Sequence, residues 1–196
     1  MPKKAITESD VIDIDSYIKD RDSIKEQIKD HKNNRRVHVG PHATFYFESF
    51  DTMLYQVQEM LYIERGGREQ LQDELKAYNP LIPCGKSLVA TLMFEIDNPN
   101  VRKNFLNLIG GIEKNTFIQV GDQKIYSRAE DDTDRTNDEG KASSVQFLHF
   151  YFDEPQMKLF SDMNIVVSLG FDHENYQHIS ILSPSIKTSL VEDFDL

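Results

Sequence analysis

The chain has 196 residues, 39% hydrophobic and 28% charged, with a formal net charge of -11 and a pI near 5.0. Such an acidic balance disfavours binding to the phosphate backbone of nucleic acid, because long-range repulsion opposes it unless one face concentrates cations. A lone cysteine, Cys84, excludes an internal disulfide, and no apolar run approaches the roughly 20 residues of a membrane helix.

In chain order, Asp15 or Ser16 is expected to cap a helix running to Asn33 with a thin apolar stripe of Tyr17, Ile24 and Ile28. Seven basic residues of this segment, Lys19 to Arg36, outnumber Asp20, Asp22, Glu26 and Asp30, and read as a solvated face or a docking surface for an acidic partner. RVHV and ATFYFE flank Gly40-Pro41 as two short strands, the second with Phe45 and Phe47 on one face and Thr44, Tyr46 and Glu48 on the other. A helix from Phe50 to Arg65 carries Met53, Val57, Met60, Leu61 and Glu64 on one stripe, and a second runs from Arg68 to Tyr78. Leu88 to Ile96 is nearly continuous in apolar residues and reads as a strand near the sheet centre.

Further along, Pro99 to Ile109 reads as a helix, and NTFIQVG with QKIYSRA as a hairpin around Gly121-Asp122. EDDTDRTNDEG, Glu130 to Gly140, reads as an exposed acidic loop. SSVQFLHFYF is a second central strand, followed by a helix over Glu154 to Met163, strands IVVSLGF and HISIL around a DHENYQ turn, and a last helix over Pro184 to Phe194. These elements predict an α+β fold with a largely antiparallel mixed sheet carrying helices. They form one domain over 1–196, in which 1–36 is a peripheral helical segment and 37–196 the core. The start MPKKAITESD has no apolar stretch of a secretory signal, so cytoplasmic location and no membrane association are expected.

Charge set among apolar residues supplies the candidate sites. Glu64 on its helical stripe, Glu95 after Val89, Thr91 and Met93 on one strand face, and His149 within VQFLHFYF are each expected to need a partner or a route to water. Were they to converge, they would make a mixed oxygen and nitrogen site of the kind used for iron, manganese or zinc. His173 and His178 are spaced about 140° apart on a helix, which rules out a zinc-protease helix; flanking a hairpin turn with Asp172, they could contribute to a metal site instead. Tyr46, Phe147 and Tyr151 are candidates for an aromatic ligand pocket. CGKS over Cys84 to Ser87 lacks the glycine and preceding strand of a phosphate loop, and Cys84 has no CxxC partner. No catalytic arrangement can be named from these residues, so whether the chain is an enzyme is left open.

The segments GPHATFYFESFDTMLYQVQEMLYIERGG, AYNPLIP, SLVATLMFEID, GKASSVQFLHF and LGFDHENYQH together resemble the bacterial family known as domain of unknown function 3501, over almost the whole chain. The resemblance carries no activity. It implies, through genes that tend to neighbour such proteins, a redox or peroxide-defence setting with rubrerythrin-like or iron-sulfur oxidoreductase-like partners. The protein would then be an accessory or binding protein, or alternatively a metalloprotein or metalloenzyme with a buried Glu/His site.

Overall fold

The protein is described by a computed structural model that covers residues 2–129 and 141–196. The acidic stretch Glu130 to Gly140 lies outside the described residues. The elements run α1 (Ile14–Asn33), β1 (Arg36–Val39), β2 (Ala43–Phe47), α2 (Phe50–Glu64), α3 (Gly67–Tyr78), β3 (Ser87–Phe94), α4 (Pro99–Leu108), β4 (Thr116–Val120), β5 (Gln123–Tyr126), β6 (Arg128–Ala129), β7 (Val145–Tyr151), α5 (Glu154–Ser161), β8 (Val167–His173), β9 (Tyr176–Ile181) and α6 (Pro184–Val191). The fold is α+β, as expected, but its strands form two antiparallel sheets instead of one mixed sheet, in the orders β1-β2-β3-β7-β6 and β5-β4-β8-β9.

The strand sequences explain the two layers. Phe45 and Phe47 of β2, Leu92 of β3, and Leu148 and Phe150 of β7 alternate onto one face of the first sheet. They meet Ile118, Val120, Leu169 and Phe171 of the second sheet, with the rings of Phe45 and Phe171 5.4 Å apart. Burial of these side chains is the main driving term of the fold, at roughly 25 cal/mol per Å² of apolar surface removed from water. β3 and β7 are inner strands of their sheet, as is β2, and pair Thr91 to Phe147 and Val89 to His149, which matches the near-continuous apolar character of both.

The opposite face of the first sheet carries a second, smaller core, where Met53 and Val57 of α2 and Leu75 of α3 pack with Leu81, Ile82 and Val89. α2 starts at Ser49, whose hydroxyl accepts from the Thr52 amide while Thr52 reciprocates on the Ser49 amide. It ends at Arg65, the one non-glycine residue with positive φ among the described residues. α1 begins at an Asp13 cap, two residues earlier than expected, and anchors on α2 through Tyr17, which is buried and donates to Glu59.

The β8-β9 connection is tighter than expected. Only Glu174 and Asn175 lie outside the strands, and His173 pairs with Tyr176. His173 and His178 therefore sit within the ladder instead of flanking an open turn. Tyr176 fixes this hairpin to the β1-β2 turn: its hydroxyl donates to the Val39 carbonyl at 2.8 Å and accepts from the His42 and Ala43 amides. At that turn Gly40 has φ +68, and a Cβ there would come 2.6 Å from the His178 ring and 2.7 Å from the Tyr176 hydroxyl. Both the backbone conformation and the close approach require glycine.

Candidate functional site: a carboxylate in a cavity on the outer sheet face

Tyr46, Thr91 and Phe147 form one cross-strand row on the outer face of the first sheet, set by the registers Tyr46 to Thr91 and Thr91 to Phe147. Above this row the helices leave a cavity of about 470 Å³, lined also by Met53, Met93 and Tyr78 and by the polar side chains of Lys32, Glu48 and Thr52. That volume falls within the range of small-molecule clefts. A cleft of similar size between α1 and α2 is lined by Tyr17, Ile24, Ile28, Leu54 and Tyr55 together with Asp10, Gln27, His31, Asp51 and Gln58.

Glu48 is the chemical centre of the sheet cavity. It follows β2 directly, its amide donates to the Val89 carbonyl at 2.8 Å, and it precedes the Ser49 cap of α2. One carboxylate oxygen accepts from the Thr91 hydroxyl at 2.6 Å and the other from the Thr52 hydroxyl at 2.7 Å. Two donors thus hold both oxygens, and each oxygen retains acceptor capacity for a ligand. The start of α2 adds a favourable dipole for the negative charge.

Two cations stand near this carboxylate, in different conditions. Arg35 is fully buried and fully engaged: its guanidinium donates to the Phe47, Glu48 and Ser189 carbonyls and pairs with Asp193. Lys32 makes no ion pair among the described residues, and its ammonium lies 4.6 Å over the Tyr55 ring. Burial pulls the Lys32 ammonium below the usual lysine range, against the opposing pull of the Glu48 charge.

The residues expected to form a metal shell lie apart. Glu95 stands beyond the end of β3, exposed, where it accepts from the hydroxyls of Thr44 and of Tyr46, the latter at 3.0 Å. His149 pairs with Val89, six residues back along the same strand, which separates the two positions by about 20 Å at 3.3 Å per residue. Glu64 is exposed at the far end of α2 and accepts from Gln70 of α3 at 3.1 Å. The apolar stripe that suggested its burial ends one turn too early: Met53 and Val57 are buried, whereas the chain turns out at Arg65. The expected convergence of Glu64, Glu95 and His149 is thus corrected: strand length keeps buried His149 away from Glu95, and Glu64 lies exposed at the end of its helix. Among the described residues no group of three or more His, Cys, Asp or Glu is placed to hold a metal ion.

The remaining candidates divide in the same way. His173 is buried, with Nε2 3.2 Å from the Gly110 carbonyl and Nδ1 accepting from the Asn175 amide, a pattern that requires the neutral Nε2-H tautomer and occupies both ring nitrogens. The His178 ring packs edge-on against Tyr176 at 4.5 Å, below Gly40. Tyr46 and Phe147 share the sheet cavity, but Tyr151 does not: it lies with His149, Arg128, Ser87 and Cys84 around a separate cavity of about 450 Å³, its ring parallel to that of His149. The basic first helix is also less available than its composition suggests, since Arg21 chelates Glu59 while Lys32 and Arg35 turn toward the cavity wall.

Glu48, Thr52, Thr91 and Lys32 escape a reading by composition because each is an ordinary polar residue at the end or edge of its element. The usable signal is the polar alternation Thr44, Tyr46, Glu48 opposite Val89, Thr91, Met93, whose register only the fold supplies.

Residues 5–194 match the family described as protein of unknown function (DUF3501), and the chain belongs to that family. It is also similar to a crystal structure of a protein of unknown function from Burkholderia pseudomallei K96243, at 32% identity and a TM-score of 0.89 over 97% of this chain and 100% of that one. No curated protein matches the chain. Among the described residues no helix is long and apolar enough to cross a membrane.

Proposed function

We propose that the protein binds a small organic molecule in the cavity between the first sheet and α2, with Glu48 as the orienting group. The observation that carries this reading is a carboxylate held on both oxygens by Thr52 and Thr91 in the wall of a cavity whose remaining surface is largely aromatic and thioether. Glu95 supports it from outside by holding the Tyr46 hydroxyl, so that the ring keeps its place in the lining. A thermal-shift screen of the purified chain against a metabolite collection tests the proposal. At least one compound is expected to raise the melting temperature of the wild type and to lose that effect in Glu48→Gln. A screen without any stabilising compound, or a shift that survives unchanged in Glu48→Gln, overturns it.

The setting implied by the family resemblance, an accessory to a redox or peroxide-defence system with rubrerythrin-like or iron-sulfur oxidoreductase-like partners, is compatible with such a binding protein. Co-purification from cells at native expression level tests that setting separately from ligand binding.

A further inference from the structure

We infer that the ligand of the Glu48 cavity is a small zwitterion, carrying an ammonium for Glu48, a carboxylate for Lys32 and an apolar or aromatic body for the surface of Tyr46, Met93 and Phe147. The inference rests on the binding role proposed above and adds the chemical class.

Its ground is that two opposite charges line one cavity without forming an ion pair with each other. Glu48 has its oxygens held by neutral hydroxyls, not by a cation. Lys32 has no carboxylate within ion-pair distance among the described residues, and only an aromatic face supports its ammonium. The third charge, Arg35, already commits its five donors to Asp193, three carbonyls and the Ser189 hydroxyl, which leaves it no donor capacity for a ligand.

An amine alone would satisfy Glu48 but leave Lys32 partly desolvated and unpaired. A carboxylic acid alone would do the reverse. A molecule bearing both groups compensates both charges at once and adds no net charge to a half-buried site, which is the condition under which burying ions is least costly. Apolar residues opposite the charged wall then select for a hydrophobic side group.

Isothermal titration of the full chain with L-phenylalanine, phenethylamine and 3-phenylpropionate tests the inference, because the three share one ring and differ in the charged groups. L-phenylalanine is expected to bind at least tenfold more tightly than either analogue. In Lys32→Met its affinity should fall to that of phenethylamine, and in Glu48→Gln to that of 3-phenylpropionate. Phenethylamine binding as tightly as L-phenylalanine, with both affinities lost in Glu48→Gln, overturns the zwitterion while leaving the binding role intact. No heat from any of the three overturns it as well, and the metabolite screen then decides the binding role on its own. The wild-type comparison needs no variant, so it stands even if a substitution impairs folding.

Discussion

Arg35 and Asp193, 158 residues apart in sequence, form a buried ion pair that ties the segment between α1 and β1 to the end of the chain. Arg35 is 1% exposed, and its other donors serve the carbonyls of Phe47, Glu48 and Ser189, so one side chain connects β2, the start of the cavity wall and α6.

Removing that guanidinium strands a carboxylate and several carbonyls in a dry environment. Arg35→Met should lower the unfolding free energy at pH 8 by about 3–5 kcal/mol, the usual cost of breaking a buried pair from one side. Combining it with Asp193→Leu should recover part of the loss, since an apolar pair of similar volume leaves no uncompensated charge. Urea denaturation of the two variants beside the wild type measures both effects. A single variant as stable as the wild type would show that the pair contributes little.

Asp193 also makes a signed prediction about pH. Burial raises its carboxyl from 3.8 to about 6, with Arg35 opposing the shift. Because the folded value lies above the unfolded one, folding takes up a proton between them. The associated stability is fully present below about pH 3.8 and is lost as pH rises through about 6, a span worth about 3 kcal/mol at 1.36 kcal/mol per pH unit. Carboxylates held below their ordinary values by partners, such as Glu59 beside Arg21, act in the opposite sense and at lower pH. The difference between the wild type and Asp193→Asn isolates the group: the wild type should lose stability relative to the variant from pH 4 to pH 6.5. A constant difference across that window would contradict the assignment.

Much of the architecture is legible in the sequence, because apolar periodicity is a local property. β3 and β7 announce themselves as inner strands through Leu88 to Phe94 and Gln146 to Phe150, and the helix ends at Arg65 and Tyr78 follow from glycine and proline. The division into two sheets is not local. It depends on which strands pair: the β4-β5 and β8-β9 hairpins are readable from their turns, but nothing local marks that β4 pairs with β8 to make a sheet apart from β3 and β7. Site residues follow the same rule. Alternation makes readable that Glu95 shares a face with Val89, Thr91 and Met93 and that His149 shares one with Phe147 and Tyr151, but that β3 and β7 pair, and how far apart the two residues then fall, depends on register, which is not readable. Glu48 faces the cavity because β2 pairs with β3 so that Tyr46 meets Thr91, and no feature near position 48 reveals that pairing.

The separation of Glu95 and His149 has a measurable consequence. Glu95→Gln and His149→Ala should perturb stability independently, with the double variant matching the sum of the single effects within about 0.5 kcal/mol, as sites more than 7–10 Å apart do. If the protein carries iron, manganese or zinc, its content should be unchanged by either substitution alone. Coupling above 1 kcal/mol, or parallel loss of metal in both variants, would place the two side chains in one site and refute the geometry.

Ser127 alone separates β5, in the four-stranded sheet, from β6, in the five-stranded one. Its amide donates to the Thr116 carbonyl at 2.9 Å and its hydroxyl to the Glu113 carbonyl at 2.5 Å, so the corner is clamped onto the segment that leads into β4. With a hinge one residue long, neither layer can peel away while the other persists. Amide exchange should accordingly register one shared opening event for β4 and β7, not two subunits of stability with separate lifetimes.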